Sequence, residues 1–251
     1  MRTFLFKLYW RFRSVIAPRL THAQHLYEEV LKNHVSREAN WLDLGCGHQL
    51  LASWHEEEER ALASNCGMIV GMDYDLPSLQ KHRSLSLRVR GLIDTLPFKD
   101  NCFDLVTANM VVEHLAEPGI QFREINRILK PGGVFLFHTP NAVGYATLMT
   151  KLVPEGLKHK LIYILDGRRE DDVFETHYCA NKPAQICELA KATGFKVGRI
   201  QMIVSDAVFA LLPPLAIPEL IYLRLLMTDG FKRWRTNIIA VLKKDRENVA
   251  A

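Results

Sequence analysis

Long apolar runs are missing from this 251-residue chain. Its most apolar stretch, residues 207–218, carries three prolines, and a membrane-spanning helix needs roughly 20 predominantly apolar residues. A secretion signal is not expected either, because Lys7, Arg11 and Arg13 interrupt the segment that would be its apolar region. The five cysteines (Cys46, Cys66, Cys102, Cys179, Cys187) are scattered and odd in number, and none forms a Cys-x-x-Cys pair. That argues against a disulfide framework and a zinc site, so no metal is expected and a reducing, cytoplasmic setting fits best. Strong charge is lacking too. A net +4 is too weak to imply nucleic acid, which is disfavoured as a partner. What is present, 48% hydrophobic and 24% charged residues, is the composition of a folded globular chain.

Residues 1–20 contain five basic side chains and no acidic one. Phe4, Leu8, Phe12 and Val15 recur at helical spacing, with Lys7 and Arg11 on another face. Such a helix suits peripheral contact with an anionic membrane surface, or packing on the chain's own domain. Residues 1–35 are read as an N-terminal helical segment, with Thr21 capping a helix that runs to about Lys32.

From there strands and helices alternate. Strands are expected at 41–44, 68–72, 86–93, 103–108 and 134–139, with helices at 49–64, near 76–84, and in a stretch ending near Leu129. The acidic run 56–59 is read as a solvated face. Lys130-Pro131-Gly132-Gly133 is read as a turn. A helix at 182–193 stops at Gly194, and two further strands are expected at 195–204 and 236–242. Alternation of this kind predicts an α/β fold with a doubly wound, mostly parallel seven-stranded sheet. The domain would span 36–251, with helical cap insertions near 140–180 and 205–235, after the fifth and sixth strands.

Ligands of such sheets bind beyond the carboxyl ends of the strands, where strand order reverses. Gly45 and Gly47 follow the first strand, Asp73 ends the second, Asn109 and Met110 end the fourth, and His138 lies near the end of the fifth. Glycines let a ligand approach the backbone, and a strand-end carboxylate can accept ribose hydroxyls. Together they indicate a nucleoside-containing cofactor. The dinucleotide pattern G-x-G-x-x-G fails at Leu50, and no phosphate loop is present.

Residues 41–48, Trp-Leu-Asp-Leu-Gly-Cys-Gly-His, resemble the first motif of class I S-adenosylmethionine-dependent methyltransferases. Leu96-Pro97-Phe98 through Val106 is similar to the fourth-strand signature of the small-molecule, "type 11"-like branch. Val112-Glu113-His114-Leu115 and residues 124–133 continue the match in order. The resemblance implies a Rossmann-like methyltransferase fold and S-adenosylmethionine as cofactor, with a small or lipid-like molecule as methyl acceptor. It implies that Asp43 and the backbone of Gly45, Cys46 and Gly47 hold the methionine end, while Asp73 accepts the ribose hydroxyls and Tyr74 lies beside the adenine. Ile93 would offer its backbone to the adenine edge. Asn109 and Met110 would line the site near the sulfonium, and His114 would face the cleft as a shaping residue or base. His138 and His177 are further candidates for a base.

Two positions depart from the family pattern. His48 stands where a third small residue is common, and joins the cofactor-binding candidates. Leu92 stands where many relatives have an aspartate for the adenine amine; strand alternation would put Asp94 on the same face. A catalytically silent adenosyl-ligand-binding or interaction protein of the same fold, and a nicotinamide-dependent oxidoreductase, remain the alternatives. The 207–227 segment, rich in leucine and isoleucine, reads as a lid over a hydrophobic acceptor or as a packing surface.

Overall fold

The structure, a computed structural model, describes residues 2–152 and 175–246. Seven strands form one mixed sheet: β1 (Asn40–Leu44), β2 (Met68–Asp73), β3 (Leu87–Arg90), β4 (Phe103–Asn109), β5 (Leu129–Pro140), β6 (Phe195–Ile203) and β7 (Asn237–Lys244). Their order is β3-β2-β1-β4-β5-β7-β6, and β1 to β5 pair in parallel. The helices are α1 (Arg2–Ile16), α2 (Ala23–Lys32), α3 (Glu56–Ser64), α4 (Leu76–Gln80), α5 (Pro118–Ile128), α6 (Tyr145–Leu152), α7 (Pro183–Ala192) and α8 (Pro213–Leu226).

Two compact bodies are distinguished. The sheet body comprises Tyr27–Thr139, Thr176–Gln201 and the residues from Ile239 onward. Among the described residues, the helical body comprises 2–26, 140–152, Glu175 and Met202–Ile238. Residues 153–174, part of the insertion expected near 140–180, lie outside the described residues.

In the sheet body the central strands read as continuous apolar runs because both faces are covered. Trp41, Leu42, Leu44 and Val106 are fully buried. Phe122 of α5 packs edge-on against Phe135 and Phe137 of β5, which anchors that helix to the sheet. The order reverses between β1 and β4, both of which end in loops carrying the sequence motifs. In the helical body, Tyr9, Ala17 and Leu20 pack with Ala216, Leu220, Leu223 and Leu226 of α8.

Several local expectations change. The cap of α2 is His22, whose Nδ1 accepts the Gln24 N–H, instead of Thr21. Residues 49–52 are not helical; a 3-10 turn at Ser53–His55 precedes α3. Glu59 is not on a solvated face but fully buried, because Arg83, the Ser84 hydroxyl and the Leu51 N–H satisfy its oxygens. Strand β3 stops at Arg90, three residues before the expected end.

Pro131-Gly132-Gly133 does not separate a helix from a strand; it lies within β5 as a bulge. Phe103 pairs with Leu129 and Leu105 with Val134, so β5 accommodates extra residues that β4 lacks. Gly132 takes φ +81, a conformation open to glycine, and Pro131 has no N–H to withhold from the ladder. In α1 the buried position is Tyr9, with Phe12 and Ile16 packed against the same core, while Phe4 and Val15 face outward. The expected stripe was thus rotated.

Candidate cofactor site at the strand ends

The loop after β1 turns sharply. Gly45 and Gly47 have φ of +63 and +54. The N–H groups of Gly45 and Cys46 both donate to the Met72 carbonyl of β2, at 2.7 and 3.2 Å. A Cβ on Gly45 would lie 2.3 Å from Val111 Cγ2, so the position needs glycine for space as well as for its backbone angle. Around Gly47 there is open space.

Asp73, at the tip of β2, closes this loop. Its Oδ2 accepts the Gly47 N–H at 2.9 Å, and Oδ1 accepts the Asp75 N–H at 2.9 Å. The rest of the loop is held by two buried carboxylates. Glu59 accepts the Leu51 N–H, and Glu28 Oε1 accepts the Ala52 N–H, while Glu28 Oε2 meets His55 Nδ1. The His48 carbonyl accepts the Arg83 N–H, and the His48 side chain is exposed on the loop.

Asp43 sits beneath the glycines and is buried. It pairs in register with Thr107 of β4, whose hydroxyl donates to Asp43 Oδ1 and accepts the Trp41 indole N–H at 2.7 Å. Burial pushes the Asp43 carboxyl up to about 7, against the lowering effect of the Thr107 hydrogen bond; nearby Asp73 and Glu59 add to the rise. Burial likewise raises the Cys46 thiol, aided by Asp43 and Asp73, so it is a packed, un-ionised group.

Beyond β2 and β3 the edge turns apolar. Tyr74 and Leu92 are exposed, and Met110 at the end of β4 is as well. The Arg90 side chain donates to the Tyr74 carbonyl and the Gly91 N–H to the Asp73 carbonyl, tying the two strand ends together. Ile93 is half-buried in the turn that follows. Because β3 has already ended, strand alternation does not govern Asp94; its carboxylate accepts a hydrogen bond from Gln121 Nε2.

At β4, Asn109 Oδ1 contacts His138 Nδ1 at 2.9 Å, and the His138 ring stacks on Tyr27 at 5.6 Å. His138 is buried, which gives it a supporting place behind Asn109. The Met110 N–H donates to the His138 carbonyl, and Met110 itself has φ +58, unusual for a residue with a side chain. The following 3-10 turn, Val112–His114, carries buried Glu113 and partly exposed His114, whose Nε2 lies 4.0 Å from Glu113 Oε1. Glu113 Oε2 accepts the Thr139 hydroxyl, and its carbonyl accepts the N–H groups of His177 and Tyr178. Asn181 Nδ2 donates to Thr139 Oγ1, which pins the 177–181 segment to the same turn. The His177 side chain is exposed.

Hydrogen bonds thus join Asp73 to the glycine loop and Asn109 to His138, while Tyr74, Ile93 and His114 occupy the adjoining strand-end turns. Thr107, Tyr27 and the Glu28 and Glu59 anchors were not read from the sequence. Thr107 left one signal, a hydroxyl in an otherwise apolar strand. The arrangement fits a ligand with a ribose and an adenine. It offers a glycine cradle that a Cβ would fill, a partly accessible carboxylate at the next strand tip and exposed apolar side chains beyond it. A buried carboxylate, Asp43, lies under the cradle.

Residues 42–137 match the family described as "Methyltransferase domain". The chain is 32% identical over 121 residues to demethylmenaquinone methyltransferase of Lactiplantibacillus plantarum, covering 45% of this chain and 49% of that protein. It is 32% identical over 115 residues to malonyl-[acyl-carrier protein] O-methyltransferase of Legionella pneumophila, covering 43% and 39%. The matches thus span about half or less of the length of these curated relatives. An S-adenosylmethionine-dependent methyltransferase of Mesorhizobium loti has a similar fold (TM-score 0.54, 15% identity, 86% of this chain and 96% of that one). With the motifs in order and the strand-end loops built as described, residues 42–137 resemble the methyltransferase domain of that family.

Proposed function

We propose that the protein is an S-adenosylmethionine-dependent methyltransferase acting on a small or lipid-like acceptor. The observation that carries this reading is the Asp73 carboxylate at the tip of β2, hydrogen-bonded to Gly47 of the glycine loop. Asp43 and the backbone of Gly45, Cys46 and Gly47 would hold the methionine end, with His48 on the outer side of the loop. Asp73 would hold the ribose, and Tyr74, Ile93 and Met110 would flank the adenine and the sulfonium together with Asn109. The cofactor supplies an already activated methyl group. This chain's residues therefore have to align donor and acceptor and keep water out, and orientation of that kind can supply roughly 7–11 kcal/mol at best.

His114 is the candidate to shape the acceptor side or to take a proton from the acceptor; its side chain is partly accessible and lies beside the buried Glu113 carboxylate. An unchanged kcat and KM in His114→Ala would remove it from both roles. The names of the two curated relatives, with demethylmenaquinone and a malonyl-[acyl-carrier protein] as methyl acceptors, support a lipid-like acceptor. Residues 1–20 would contact an anionic membrane surface from the cytoplasmic side, and the insertions near 140–180 and 205–235 would cap the 36–251 domain.

Calorimetric titration with S-adenosylmethionine, S-adenosylhomocysteine and NAD tests the reading. Micromolar binding of the first two, lost in Asp73→Ala, is expected. Binding of NAD alone would point to the oxidoreductase. The second reading, a silent adenosyl-ligand-binding protein, is favoured by Leu92 and by the engagement of Asp94 with Gln121. Binding without turnover on any acceptor would select it.

A further inference from the structure

We infer that the outward face of α8 forms a docking surface for anionic phospholipid bilayers, to which the cations of the same body add attraction. The inference rests on, and extends, the membrane contact proposed for residues 1–20.

The inner side of α8 is spent on the helical body's core: Ala216, Leu220, Leu223 and Leu226 pack with Tyr9, Ala17 and Leu20. Its one acidic residue, Glu219, is also turned inward, where it accepts the N–H groups of Val208 and Phe209 and the Tyr145 hydroxyl. The opposite side is apolar for its whole length. Pro214, Leu215, Pro218, Ile221, Tyr222 and Leu225 are all exposed and recur at helical spacing. Ile221 is 58% exposed and Leu215 47%. A solvated helix normally shows charged and polar groups there. Arg224 is the exposed charge on this helix.

Helix α1, packed on α8 through the same core, repeats the pattern with charge added. Phe4 (67%), Trp10 (52%) and Val15 (77%) are exposed beside Lys7 and Arg11. Apolar and aromatic side chains interleaved with cations are what an interfacial helix uses to seat at the headgroup level. In this body the exposed cations Lys7, Arg11, Arg19, Lys151, Arg224, Lys232 and Arg233 outnumber the exposed carboxylates Glu175 and Asp229, among the described residues. That excess complements an anionic surface. It opposes a second copy of the chain, since a two-fold interface would set these cations against their own kind.

The test is co-sedimentation of the full chain with phosphatidylcholine vesicles, with and without phosphatidylglycerol, for the wild type and two double variants. Ile221→Glu/Leu225→Glu is expected to lower partition into anionic vesicles by about tenfold or more, by removing buried apolar area and adding repulsion. Lys7→Glu/Arg11→Glu is expected to weaken binding to anionic vesicles, with the remaining binding less sensitive to salt. Retained S-adenosylmethionine binding shows that each variant is folded. If the α8 variant binds vesicles like the wild type, the inference is overturned. It is overturned too if the wild type ignores vesicles and instead forms a dimer that the α8 variant abolishes. Vesicle binding by a protein that fails to bind S-adenosylmethionine would support the docking surface while refuting the proposed enzyme.

Discussion

The two bodies use carboxylates for different ends. In the sheet body Asp73, Glu59 and Glu28 accept, in turn, the N–H groups of Gly47, Leu51 and Ala52, three points along one loop. In the helical body Glu219 organises Val208, Phe209 and Tyr145, while the surrounding interior and the outward face of α8 are apolar. Directional bonds fix atoms to within tenths of an ångström. Apolar contact fixes a surface and leaves position along it free. The first kind of construction suits a ligand with fixed donor and acceptor edges; the second suits a partner without them.

Breaking the directional side should have the largest effect. Gly45→Ala places a Cβ against Val111 and forces an L-residue into φ +63. S-adenosylhomocysteine affinity should fall by on the order of 100-fold, combining a backbone cost of roughly 1–2 kcal/mol with steric overlap. Gly47→Ala meets open space and should cost only the backbone part. Equal losses in the two variants would show that the Val111 contact is irrelevant.

Next comes the helical body. Glu219→Leu leaves the Val208 and Phe209 N–H groups without their acceptor, which should destabilise the protein by about 1–3 kcal/mol. Urea denaturation should report that loss while cofactor affinity stays within about twofold, because the residues of the cofactor site lie in the other body. A matching fall in affinity would show that Glu219 also supports the cofactor site.

A smaller effect follows from Asp43, whose carboxyl is held up to about 7 chiefly by burial. Its ionised form is the one that attracts the cofactor's ammonium group. Protonation dominates below pH 7, so affinity should weaken as pH falls through that value, by at most about tenfold per unit. In Asp43→Asn the slope should vanish. A wild-type affinity that is flat from pH 8 to 6 would mean that Asp43 does not change ionisation on binding.

The β1 loop and Asp73 were legible because glycine and a strand-end carboxylate are local signals whose meaning does not depend on distant residues. The misreadings have the opposite origin. Glu59 looked solvated within its acidic run, yet Arg83 and Ser84, more than twenty residues away, bury it. Asp94 was set beside Leu92 by strand alternation, but β3 ends at Arg90 and Gln121 takes the carboxylate. The proline and paired glycines of β5 punctuate without ending the strand, since a bulge absorbs them where β4 supplies a partner on each side. The face of α1 was rotated because aromatic residues occur on more than one side of it, which leaves the buried side to be decided by packing against α8.

The hydrogen-bond chain from Trp41 through Thr107 to Asp43 has a practical consequence. Trp41 is fully buried, and its indole N–H is two bonds removed from the carboxylate beneath the glycine loop. Its emission should sit at the blue end of the tryptophan range and shift when Asp43 ionises or pairs with a ligand. Trp41 would thereby report optically on the state of Asp43, and its signal can be isolated by replacing Trp10, Trp54 and Trp234 with phenylalanine.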